Sequence, residues 1–161
     1  MKLHLFHYEC KNCGITFKAP QIPGTPYGEF LMRNQSGDLV YLNACQDSVF
    51  DETQKLFKEI KLKFKEIYHT NESDVFQNIF SVTCDISSDN TFFNIMQKPL
   101  CPTCGKFEVE LSWGPTNPPE YIEKNIAPVT HAHWNKLTEK EKKILISDAI
   151  DSYLRTHAED I

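Results

Sequence analysis

The chain has 161 residues, 40% of them hydrophobic and eleven of them phenylalanine, with a formal net charge of −5. That content supports a real core and argues against wholesale disorder, while the acidic balance does not suggest a broad nucleic-acid surface, which would be basic. No segment approaches the ~18 apolar residues that span a membrane, and the opening Met1-Lys2-Leu3-His4-Leu5-Phe6-His7 lacks the apolar region of a secretory signal. The expectation is one domain over residues 1–161 in the reducing cytoplasm, where the six cysteines need no disulfides.

Residues 3–9 carry an extended pattern rich in leucine and aromatics. Cys10-Lys11-Asn12-Cys13-Gly14 then predicts a tight turn, residues 15–19 a returning strand, and Pro20 its end. Glycine after the second cysteine accepts a backbone geometry that a side chain resists. Pro23-Gly24 and Ser36-Gly37-Asp38 read as turns. Between and after them, a hairpin is expected from a strand within residues 27–33, a loop at 34–38 and a strand over 39–42.

A helix is expected from Asp47-Ser48, with Ser48 and Asp51 as a weak capping box, through Tyr68. Leu56, Phe57, Ile60, Phe64, Ile67 and Tyr68 make its apolar stripe. Lys55, Lys58, Lys61 and Lys65 form an adjacent basic row, interrupted by Glu59 and Glu66. The row reads either as a solvated face or as contact with an acidic protein or a nucleic-acid backbone. Residues 74–80 suit a short helix, 81–86 look strand-like, and 92–95 suit a strand. These apolar residues are expected to share one core with the flanking cysteine-bearing segments. Cys45 and Cys84 read as small core residues.

Cys101-Pro102-Thr103-Cys104-Gly105 repeats the first cysteine pattern, and strict alternation follows. Phe107, Val109, Leu111 and Trp113 share one strand face; Glu108, Glu110 and Ser112 share the other. The expected strand is half buried, with the apolar face on the core. Each pair leads to glycine and a strand, not to the start of a helix as in a thioredoxin-like dithiol. The favoured chemistry is one structural Zn²⁺ bound by Cys10, Cys13, Cys101 and Cys104. A redox dithiol, disulfides, iron–sulfur chemistry and separate sites are the alternatives. Backbone amides in such turns would face the sulfurs, with Lys11 and Lys106 offsetting the thiolate charge.

The proline-containing stretch 114–128 reads as a crossing segment. His131 and His133 would share a face in a strand, but with no further ligands nearby they read as surface polar residues. Thr138 and Glu141 form a capping box that starts a helix through about His157. Leu145, Ala149, Ser152 and Tyr153 mark its expected buried face, broadened by Ile146, Ile150 and Leu154.

The paired knuckles resemble a split zinc ribbon over residues 1–19 and 99–113. Residues 20–98 are then a long α/β insertion, and 114–161 a C-terminal extension and helix, giving an α+β fold. A zinc bridging the pairs closes a loop of roughly 90 residues, and with four thiolates it leaves no position for water or substrate. In general character the chain also resembles small bacterial toxin-immunity proteins, a resemblance that implies a noncatalytic protein neutralising a toxin domain by direct binding. No Gly-rich phosphate loop, His-Glu-x-x-His or Gly-x-Ser-x-Gly is present. The expected partner is a protein; a nucleic-acid-associated zinc ribbon and an enzyme with structural zinc are the other readings.

Overall fold

The computed structural model describes residues 1–24, 27–65, 67 and 70–157. It shows an α+β architecture of two sheets and three α-helices. The first sheet is built on the long strand β1 (Lys2–Cys10). Strand β2 (Thr16–Gln21) lies antiparallel along one side of it, from His4↔Gln21 to Glu9↔Thr16. Two later strands divide its other pairings. β5 (Val109–Pro115) pairs with its second half and β6 (Tyr121–Glu123) with its first, both antiparallel. Pro20 does not end β2 but pairs with Leu5. Proline lacks the ladder donor and is tolerated because β2 is an edge strand.

The second sheet has the order β3 (Glu29–Arg33), β4 (Leu39–Asn43), β7 (Ala127–Pro128). β3 and β4 form the expected hairpin. Its loop is organised by Asn34, whose side-chain oxygen accepts from the amides of Ser36 and Asp38 at 3.1 and 2.7 Å. β7 joins β4 in parallel, so the crossing segment 114–128 supplies a strand to each sheet.

Helix α1 (Ser48–Ile60) is capped by Asp47, which accepts from the Phe50 amide at 2.9 Å. The cap is thus one residue earlier than expected. Val49, Thr53, Leu56, Phe57 and Ile60 are its buried stripe. The helix ends eight residues before Tyr68, which lies outside the described residues with Glu66. A 3₁₀ turn (Lys61–Lys63) follows, and Phe64 becomes extended at φ −112°, ψ 96°. The helix does not resume there, and Ile67 is buried in the core. α2 (Glu72–Ile79) is capped by Asn71 and buries Val75, Phe76 and Ile79. The strand-like stretch 81–86 instead begins within a 3₁₀ turn (Phe80–Thr83). In place of a strand at 92–95 there is one bridge, Asn94 to Arg33.

α3 (Glu139–Thr156) begins with the expected capping box, and His157 is its C-cap. Its buried line is Ile146, Ile150 and Leu154, with Leu145, Ala149 and Tyr153 half-buried beside it, whereas Ser152, expected on this face, is exposed. The broadening residues are therefore the centre of the face. Trp134 is completely buried in the helical core. Its indole N–H donates to Glu52 at 2.8 Å, and Lys142 reaches the same carboxylate at 2.8 and 3.0 Å.

The apolar residues form two separate clusters. The large one joins the three helices to the second sheet, with Phe30, Phe50, Phe57, Phe76 and Phe80 in mutual ring contact. The small one contains Tyr8, Cys10, Ala19, Cys101 and Val109, with Phe6, Phe17 and Cys104 against it. The expected shared core is not observed: the insertion packs its own apolar residues together, and the cysteine-bearing segments pack theirs. Among the described residues no helix is long and apolar enough to cross a membrane.

Candidate metal centre

Cys10 is the last residue of β1 and Val109, the first of β5, pairs with it. The Lys11 amide extends the contact by donating to Glu108 at 2.7 Å. This ladder delivers the second cysteine pair to the first. The sulfurs of Cys10, Cys13, Cys101 and Cys104 all lie within 4.8 Å of one another. Two contacts cross between the pairs: Cys10 to Cys104 at 3.5 Å, and Cys13 to Cys101 at 3.7 Å. Cys10 and Cys101 are buried; Cys13 is exposed and Cys104 intermediate.

The two knuckles have the same backbone geometry. Gly14 donates to the Cys10 carbonyl at 2.8 Å, and Gly105 to the Cys101 carbonyl at 2.9 Å. Cys10 donates to Ile15 and Cys101 to Lys106, both at 2.9 Å. Gly14 at φ +72° and Gly105 at φ +67° take the left-handed conformation that this turn requires. The amide two residues after the second cysteine, Ile15 or Lys106, reaches the sulfur of Cys13 or Cys104.

Four thiols this close cannot all ionise without a cation. At Cys104, burial is outweighed by hydrogen bonds from Asn12, the Lys106 amide and the neighbouring cysteines, drawing its pKa down to about 6. At Cys13 the Ile15 amide favours the thiolate, but burial and the other three thiols together push the pKa up to about 12. A bound metal ion removes this conflict, and the four residues could hold one in a zinc-ribbon-like site. The expected lysine compensation is not what Lys11 provides. Its ammonium is engaged by carboxylates, 3.0 Å from Glu110 and 3.6 Å from Glu9. Asn12, which the sequence reading passed over, is the side chain between the first pair that reaches across to Cys104.

Other expected positions fall elsewhere. β5 starts at Val109 because that residue's amide turns back to the Phe107 carbonyl at 2.7 Å. Val109 is buried, yet Leu111 is 54% and Trp113 76% exposed. The pairing of β1 with β5 slips between His7 and Tyr8, taking Ser112 and Trp113 out of register. The apolar face of this strand therefore does not lie on a core beyond Val109. Cys84 is buried as expected, but Cys45 is exposed.

His131 is not a surface histidine. Its Nδ1 is 2.7 Å from the Thr83 carbonyl and its Nε2 is 3.1 Å from Asp47. Segment 131–133 is a turn leading into a 3₁₀ helix, so the two histidines do not share a strand face; His133 is exposed. Cys84, Asp47 and His131 do not form a nucleophilic assembly. Both ring nitrogens are occupied, the Cys84 thiol faces the Phe80 carbonyl at 3.8 Å, and burial pushes its pKa up to about 12. The lysine row is also broken. Lys55 and Lys58 lie on α1, whereas Lys61 begins the following turn and pairs with Glu72 at 2.5 Å. No family model matches the chain, and comparison with curated proteins and with solved structures returns no match.

Proposed function

We propose that the protein is a noncatalytic protein-binding protein whose two cysteine knuckles are held by one structural zinc, and that it acts by direct contact with a basic protein domain such as a toxin. The sulfur geometry supports zinc. A tetrahedral site with Zn–S bonds of about 2.3 Å has sulfur–sulfur edges of about 3.8 Å, and the cross-pair contacts are 3.5 and 3.7 Å. Cys10, Cys13, Cys101 and Cys104 would fill all four positions, so the metal's role is to hold strands together, not to activate water.

The observation that carries the binding reading is the exposure of Leu111 and Trp113 on β5, the strand that leads away from the second knuckle. An indole open to solvent at a strand irregularity is a ready anchor for a protein contact. Glu108, just before this strand, is exposed and favours a basic partner, as does the net charge of −5; Glu110 on the strand is exposed but already pairs with Lys11. The broken lysine row gives no comparable support to nucleic-acid binding.

A photo-crosslinker placed next to Trp113 in the native host would identify the partner, whose affinity and activity are then measured. Trp113→Ala should weaken the complex by about 2 kcal/mol, some thirtyfold, without changing the melting temperature. Undiminished binding by Trp113→Ala would remove the strand from the interface. A partner whose activity is untouched by saturating protein would remove the neutralising role.

A further inference from the structure

A second feature lies between the two sheets. Arg33 ends β3 and is only 4% exposed. Its Nη1 donates to the Leu31 carbonyl at 3.4 Å, and its Nη2 donates to the Pro20 carbonyl. These bonds tie the second sheet to β2 of the first, but they use two of five donors and supply no countercharge. Among the described residues no carboxylate pairs with Arg33. Burial lowers its pKa, opposed only by the Tyr8 phenol. A buried cation without an anion is strongly unfavourable, and a purely structural tie leaves it uncompensated.

Arg33 lines a cleft of about 470 Å³, a size suited to a small ligand. Phe30, Leu31, Ile95 and Met96 give it apolar walls. Lys98 adds a second cation, so that among the described lining residues two cations face one acid, Glu29, which keeps its charge while accepting from the Tyr41 hydroxyl. The cleft thus combines an apolar body with a positive anchor.

We propose that this cleft binds a small organic acid, its carboxylate received by Arg33 and its apolar body lying against Phe30, Leu31, Ile95 and Met96. The planar fork of a guanidinium matches two carboxylate oxygens, so one ligand would neutralise the buried charge and dry the apolar walls. The walls are also tied to the cysteine clasp: Tyr8 precedes Cys10 by two residues, and Pro99 precedes Cys101 by two. Part of the cleft wall is therefore carried by the segments that bear the two knuckles.

The test is calorimetric titration of the zinc-loaded full chain with octanoate, acetate, octanol and inorganic phosphate, with methyl NMR to locate binding. Octanoate should bind and shift the Ile95 and Met96 methyl signals, with acetate and octanol each at least tenfold weaker. Arg33→Met should weaken octanoate at least tenfold. Because that change also removes the tie to Pro20, Met96→Glu provides a second arm. Met96 is 42% exposed, so the new carboxylate should repel octanoate at least tenfold with the melting temperature unchanged. Absence of methyl shifts at millimolar octanoate, equal affinity for octanol, tighter binding of phosphate, or undiminished binding by Met96→Glu would overturn the proposal.

Discussion

The sulfurs of Cys10 and Cys104 lie 3.5 Å apart although 94 positions separate them in the chain. That contact closes the first sheet around the insertion, because β1 and β5 run from the two knuckles and pair with each other. The small cluster beneath them contains few residues, two of which are themselves cysteines of the site. The helical core, in contrast, has eighteen buried members among the described residues. Loss of metal should therefore be felt unequally.

Chelation is expected to raise amide hydrogen exchange in β1, β2 and β5 while the buried turns of α1 and α3 stay protected. Metal binding to four thiolates is folding free energy for the strands that carry them. The helices bury Leu56, Phe57, Ile146 and Ile150 in a core without a cysteine ligand. Exchange measured peptide by peptide, before and after chelation, checks this; uniform loss of protection would show that the two cores unfold together.

Trp134→Phe should destabilise the protein by roughly 1–3 kcal/mol in urea denaturation, since it leaves a void and removes the indole donor. The residue is fully buried and sits under the Lys142 ammonium, 5.1 Å from its ring centroid. Glu52 would keep Lys142 but lose the indole hydrogen bond.

Gly28→Ala should be costly for two separable reasons. Gly28 has φ +74°, and a Cβ there would lie 2.5 Å from the Cys45 sulfur. The left-handed conformation alone costs about 1–2 kcal/mol for a residue with a side chain. Adding Cys45→Ala removes the sulfur, so the double variant should recover the steric part and keep the conformational part. Denaturation of the four proteins in this cycle measures both.

Asp85 accepts from the amides of Ala132 and His133, each at 2.8 Å. Burial alone would raise its pKa, but hydrogen bonds from the His133 amide, Thr130 and the Ala132 amide, together with His131, hold it below 3.8. A depressed carboxylate contributes stability above its unfolded pKa and loses it as pH falls through the folded value. The stability difference between wild type and Asp85→Asn should therefore be greatest near neutrality and shrink as the pH falls through the acid range and past the depressed folded value. Metal release in acid affects both proteins and cancels in the comparison; a difference independent of pH would contradict the assignment.

Local signals made the knuckles and α3 readable in advance. Cys-x-x-Cys-Gly specifies its own turn, and Thr138 with Glu141 specifies its own cap. The end of α1 was not readable, because Phe64 and Ile67 continue the helical spacing of Leu56, Phe57 and Ile60. The extended backbone at Phe64 ends the helix, and Ile67 is buried in the core beyond that break. Alternation correctly placed Leu111 and Trp113 on a strand, but alternation alone does not say whether another layer covers that face. The burial of His131 depends on Thr83 and Asp47, which are 48 and 84 positions away. Arg33 carried no sequence signal at all: its isolation arises only where the two sheets meet.

The most direct test of the zinc clasp is X-ray absorption at the zinc edge, with metal content measured on the same purified full-length sample. The account predicts one zinc per chain with four sulfur neighbours at about 2.3 Å. Protein without zinc, or zinc with nitrogen or oxygen in its inner shell, would contradict it.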